Sequence, residues 1–245
     1  MALNEATRLA WLEAMGIQVW QPRFDASAAA DPGLAWVEEE RLAAVAVEGL
    51  ETVTATGMDD WDTLQAEVRD CSACELHMTR RQTVFGVGNR QADWMVIGEA
   101  PGEQEDIKGE PFVGPAGLLL NEMLHAIGLK RQDVYIANVL KCRPPRNRDP
   151  DPEEAACCEA FLMRQLALVR PKIVLAVGRI AAQNLLKTTV AIGKLRGAVH
   201  DYHGVPLVVT YHPAYLLRSP LEKRKAWDDL LLALRTCQEL NRKLP

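Results

Sequence analysis

The chemically most suggestive side chains in this 245-residue chain are six cysteines, and their spacing is uneven. Cys71 and Cys74 form a C-x-x-C pair, Cys142 stands alone in a Pro-rich stretch, Cys157 and Cys158 are adjacent, and Cys237 lies in an apolar C-terminal pattern. A C-x-x-C followed at a distance by two further cysteines is a four-thiolate set for zinc or an iron–sulfur cluster, both of which take deprotonated sulfur. Spacing leaves the metal open. It also leaves the fourth ligand open, because neighbours on a helix point about 100° apart and only one of Cys157 and Cys158 can face the site.

A second chemical signal is the stretch "GEAPGEQEDIKGEPFVGPAG", Gly98 to Gly117, which packs five glycines, three prolines and five acidic residues between two apolar runs. Glycines of this kind let backbone N–H groups approach an anion such as phosphate. A Walker-type nucleotide loop is the rival reading, and the missing G-K-[ST] disfavours it.

The elements around these residues alternate. Helical patterns run through "WDTLQAEVRD", "GLLLNEMLHAIG", "PEEAACCEAFLMRQLALV", "RIAAQNLLK" and a final stretch from about Arg224 to Leu240. Between them lie short apolar runs that read as strands: "DWMVIGEA", "DVYIANVLK", "KIVLAVG" and "VPLVVTYHP". Strands alternating with helices imply an α/β fold with a mostly parallel sheet covered on both faces. Ligands in such sheets bind beyond the carboxyl ends of the strands, where Gly98 to Gly117, Asn138 to Arg148 and His212 to Arg218 fall.

Charge divides the chain. Residues 1–70 hold 4 Lys/Arg and 14 Asp/Glu, a balance of -10, while residues 71–245 hold 24 and 19, a balance of +5; together they give the net -5. The basic residues cluster in "KCRPPRNR" and "LLRSPLEKRK", the pattern of a phosphate-backbone footprint or of a solvated face. No apolar run approaches the roughly 18 residues of a spanning helix, and "MALNEATRLAW" lacks the basic and apolar regions of a signal peptide. The expectation is a cytoplasmic chain with no membrane association, in which a disulfide framework is disfavoured.

Four separated motifs, "GEAPGEQED", "GEPFVGPAG", "NVLKCRPPRNRDPDPEEAACC" and "HPAYLLR", occur in this order with the cysteine pattern. Together they resemble the family 4 uracil-DNA glycosylases, the iron–sulfur branch of that superfamily, over roughly Trp61 to Asn241. The resemblance implies a three-layer αβα sandwich with a central parallel four-stranded sheet, and a monomer acting on uracil-containing DNA. It implies a [4Fe–4S] cluster held by Cys71, Cys74, Cys142 and Cys158, leaving Cys157 on the helix face and Cys237 in the core.

A glycosylase must turn the nucleotide out of the stack and read its base by the edge. By resemblance, Phe112 stacks on uracil, Asn138 pairs with N3–H and O4 through its amide, and His212 donates to O2 as the bond breaks. Family 1 enzymes carry a water-activating Asp where this chain has Ala100. Family 4 members also lack it, so Glu99 is the nearest carboxylate that could orient water or offset the sugar's positive charge. Glu105 matches a residue that fills the space beside uracil C5 and would exclude thymine. Leu216 or Leu217, with Arg218, could wedge into the DNA where the uracil left. His200 and His203 read as surface.

Residues 1–21 read as an amphipathic helix, residues 22–58 as an acidic, Ala-rich linker, and residues 59–245 as the glycosylase-like domain. "RLAWLEAMGIQVWQPR" is similar to the N-terminal peptide of the psi subunit of the bacterial DNA polymerase III clamp loader, which implies recruitment to replication proteins in a bacterial cell. A non-catalytic glycosylase-fold subunit or adaptor of that loader is the alternative; intact Phe112, Asn138 and His212 speak against it. The branch of the superfamily that traps uracil covalently uses a His in a basic insertion after the equivalent of Asn138, and no histidine lies between Asn138 and Arg148 here.

Overall fold

The computed structural model describes residues 60–243. The expected N-terminal helix, residues 1–21, and the linker, residues 22–58, together with the clamp-loader likeness, lie outside the described residues.

Helix α1 (Trp61–Asp70) opens on Asp60, whose side chain accepts from the Thr63 N–H at 2.6 Å and satisfies a donor the first turn leaves free. Strands β1 (Val87–Gly88) and β2 (Trp94–Gly98) follow, then α2 (Glu103–Lys108), α3 (Pro115–Ala126) and β3 (Tyr135–Asn138). The long α4 (Pro152–Val169) starts on Asp151, with Pro152 in the first turn and Glu154 accepting from the Asp151 N–H at 2.9 Å. Then come β4 (Ile173–Val177), α5 (Arg179–Leu185), α6 (Ile192–Leu195), β5 (Val199–Tyr202), β6 (Val205–Thr210), α7 (Pro213–Arg218) and α8 (Lys223–Lys243).

The sheet has the order β1-β3-β2-β4-β6-β5. Its four central strands are parallel, as the alternating pattern implied, and their residues are buried on both faces except at the start of β6. One core layer joins β2, β3, β4 and β6 to α4 and α5; the other joins them to α3, α7 and α8, with Cys237 inside it. Two edge strands, β1 and β5, pair antiparallel and were not expected. Both are short, and β5 is mostly solvent-facing, so neither carries an apolar run to betray it. The loop between β2 and α3 also contains a helix, α2, which the glycine and acid content concealed.

The C-terminal helix is fastened to the sheet edge by a buried ion pair. Arg196 Nε donates to Asp229 Oδ2 at 2.7 Å, with side-chain exposures of 11% and 1%. Removing one partner strands a desolvated charge, so Asp229→Ala should lower stability by about 3 kcal/mol. Urea unfolding followed by circular dichroism checks this as a fall in midpoint at unchanged slope.

Candidate active site

The carboxyl ends of β2 and β3 lie side by side, with Gly98 and Asn138 in register. Asn138 is 2% exposed, and its Oδ1 has no hydrogen-bond partner within the protein. A buried amide oxygen without a partner is costly unless a ligand supplies one, which makes this atom the strongest mark of a site. Gly98 is what allows it to sit there. A methyl group at Gly98 would stand 2.4 Å from Asn138 Oδ1 and 2.6 Å from the Phe112 ring.

Phe112 is held in a conformation rare for a bulky side chain, with φ of +54°. Two neighbours keep it there. Glu105 accepts from the Val113 N–H at 2.9 Å and from the Gly102 N–H at 3.1 Å, and Arg131 donates to the carbonyls of Pro111 at 2.5 Å and Phe112 at 3.3 Å. Gly117 presses on the Phe112 carbonyl so closely that a Cβ there would lie 1.8 Å from the oxygen. Gly98 and Gly117 are therefore required by side-chain and backbone packing within the protein itself.

The Phe112 ring faces that of His212 at 5.7 Å between centroids and 28° between planes. His212 caps α7: its Nδ1 accepts from the Ala214 N–H at 3.1 Å. A backbone N–H can only donate, so Nδ1 carries no proton and the neutral ring bears its hydrogen on Nε2. Burial, with the Arg218 charge adding to it, lowers the imidazole to about 4. His212 is thus a neutral donor at physiological pH.

Glu99, Ala100, Glu105, Phe112, Asn138 and His212 line one cavity of about 420 Å³. Burial, reinforced by Asp149, raises Glu99 to about 7, although Arg179 opposes the shift. Arg179 is itself paired with Asp149 at 2.7 Å.

Cys71, Cys74, Cys142, Cys157 and Cys158 all line a second, small cavity of about 10 Å³. Cys158 is buried and Cys157 exposed, since neighbours on a helix point about 100° apart, and the Cys157 thiol donates to the Ala73 carbonyl. Among the described residues no three His, Cys, Asp or Glu side chains close on a single ion. Arg80 Nη1 donates to Cys142 Sγ at 3.0 Å, and the buried Lys141 lines the same cavity. Its Nζ donates to the Asn138 carbonyl at 2.8 Å and to Gln165 Oε1 at 2.7 Å; Gln165 in turn donates to Tyr135 Oη at 3.1 Å and the Phe85 carbonyl at 2.8 Å. This network went unseen in the sequence. Lys141 sits in a run of basic residues that reads as surface, and neither Gln165 nor Arg131 belongs to a motif.

The expected basic footprints are partly consumed internally. Lys141 is buried, Arg148 pairs with Glu154 at 2.6 Å and Asp151 at 3.1 Å, and Lys225 pairs with Glu222 at 2.9 Å. Of the two wedge candidates, Leu216 must be withdrawn. It is 1% exposed because it shares the inner face of α7 with Pro213, three residues earlier, whereas Leu217 is 44% exposed. Arg218 lines the same cavity as Asn138 and His212.

The profile of the uracil DNA glycosylase superfamily matches residues 85–231. A type-4 uracil-DNA glycosylase of Archaeoglobus fulgidus is 48% identical over 171 residues, covering 66% of this chain and 86% of that protein. The chain belongs to the type-4 uracil-DNA glycosylase family. Type-4 relatives from Saccharolobus solfataricus (45% identity; 70% of this chain, 84% of theirs) and Thermotoga maritima (47%; 62% and 80%) agree. No helix among the described residues is long and apolar enough to cross a membrane.

Within this family's pocket the capping contact makes a measurable claim about His212. Nitrogen-15 NMR should find its ring in the Nε2–H tautomer and neutral from pH 8 down to about 5, titrating near 4.

Proposed function

We propose that this chain hydrolyses the N-glycosidic bond of deoxyuridine in DNA, leaving an abasic site for base excision repair. The observation that carries the reading is the buried, unpartnered Asn138 oxygen beside a neutral His212 that donates from Nε2. Asn138 Oδ1 accepts from uracil N3–H while its Nδ2 donates to O4; cytosine presents the reverse pattern and leaves both groups mismatched. Phe112, fixed from both sides, offers the ring face on which the base stacks. Glu105, pinned by three backbone amides, is the fixed wall beside C5 that excludes the thymine methyl.

In the reaction the C1′–N1 bond breaks, its electron pair leaves with the uracil, and water adds to C1′. Negative charge grows on O2, where the His212 Nε2–H is aimed; one such donor is worth roughly 3 kcal/mol. Ala100 has no group to activate water, so the enzyme relies on stabilising the departing base. Glu99, when ionised, offsets the positive charge developing on the sugar. Leu217 and Arg218 occupy the space left in the DNA.

Cys71, Cys74, Cys142 and Cys158 would hold a [4Fe–4S] cluster. Four thiols spread around one cavity suit a group in which each iron takes one sulfur, and Arg80 and Lys141 supply the positive charge such a thiolate set needs. When bound, the group cross-links the segment before β1, the loop after β3 and the first turns of α4.

An oligonucleotide with one uracil should break at that position after treatment with the protein and hot alkali; an intact strand would overturn the reading. His212→Ala should slow single-turnover cleavage roughly 100- to 1,000-fold. Because Glu99 becomes a carboxylate only as pH rises through about 7, kcat should climb through that range and level off, and Glu99→Gln should remove the rise. Anaerobically purified protein should be coloured and contain iron and sulfide in equal number, whereas a colourless zinc protein would refute the cluster.

A further inference from the structure

A second cavity, of about 490 Å³, opens on the other side of His212 and shares Glu99, Asp149, His212 and Arg218 with the catalytic cavity. Its remaining wall is mostly aromatic and aliphatic, with Tyr211, Tyr215 and Ile192. The two tyrosine rings flank His212 in sequence and lie 5.1 Å apart at 45°. Tyr211 is rigidly backed: the Arg196 guanidinium lies 4.4 Å from its ring centre and is itself locked on Asp229. Tyr215 is 36% exposed and lines the cavity. Neither tyrosine has a part in the chemistry derived above.

We propose that this cavity is a second nucleotide subsite, which takes the unpaired base adjoining the extruded uracil on the same strand and stacks it on Tyr215. A flat ring suits an aromatic wall, and every base has a π-face, so such a platform binds without reading sequence. Arg218 lines both this cavity and the uracil pocket, and its guanidinium suits the phosphate that would join the two nucleotides. A duplex neighbour is already stacked and paired, so the subsite favours single-stranded or locally opened DNA.

The inference rests on the glycosylase reading, and the experiment separates the two. Three single-stranded oligonucleotides carry one uracil: one with normal neighbours, one with an abasic spacer on the 5′ side, and one with the spacer on the 3′ side. With the full chain, one of the two spacers should raise KM roughly ten-fold, with the effect on KM and not on kcat. Tyr215→Ala should raise KM for the normal oligonucleotide by a similar factor and show no further penalty from that spacer. Tyr215→Phe, which keeps the ring, should restore the dependence on the neighbouring base. Uracil release that ignores both spacers, or a spacer penalty that persists in Tyr215→Ala, overturns the subsite and leaves the glycosylase reading standing. No uracil release from any oligonucleotide overturns both.

Discussion

A single buried ammonium group connects the parts of this protein that matter. Lys141 lies near the start of the segment that follows β3, lines the cysteine cavity, and donates to the carbonyl of Asn138, whose side-chain oxygen is buried without a partner. Burial lowers its ammonium to about 8, and the nearby Cys158 and Cys142 pull the other way. A charge placed so deep survives only with good acceptors, and the Asn138 carbonyl and the Gln165 amide are the ones provided. Gln165 passes the constraint to Tyr135 and the Phe85 carbonyl, so α4, β3 and the segment before β1 are held as one polar network inside an apolar core.

The pocket wall is a matter of forced proximity. Phe112 occupies a backbone conformation that its bulk disfavours, and it stays there because Glu105 and Arg131 hold the peptide groups on either side. The two glycines that mark the ends of the loop are needed for a related reason: any side chain at Gly98 or Gly117 would enter space already filled by Asn138 or by Phe112. A wall packed this tightly has no room to yield to an added methyl group.

Electrostatics divide the work between two titratable groups. Both are pushed toward neutrality by burial, the imidazole down and the carboxylate up, and the consequences differ. A neutral imidazole still has a proton to donate, and the helix cap dictates which nitrogen carries it. The carboxylate, raised by burial, sits near the threshold of ionisation, with Arg179 close enough to pull it back.

Periodicity in the sequence was enough to reveal the four parallel strands, because strands buried on both faces must be apolar throughout and stand out as short hydrophobic runs. The edge strands β1 and β5 have no such requirement and passed unseen. The alternating pattern likewise put the segments that carry Phe112, Asn138 and His212 at the carboxyl ends of the strands, since a parallel topology leaves few other arrangements. What the sequence by itself determined, then, is the architecture and the residue types at the site. Tertiary structure alone decided which residues are buried: Leu216 but not Leu217, Cys158 but not Cys157, and Lys141 in the core and not at the surface. These choices depend on contacts between segments distant in the chain, and on a rotation of about 100° per helical residue that exchanges the roles of neighbours.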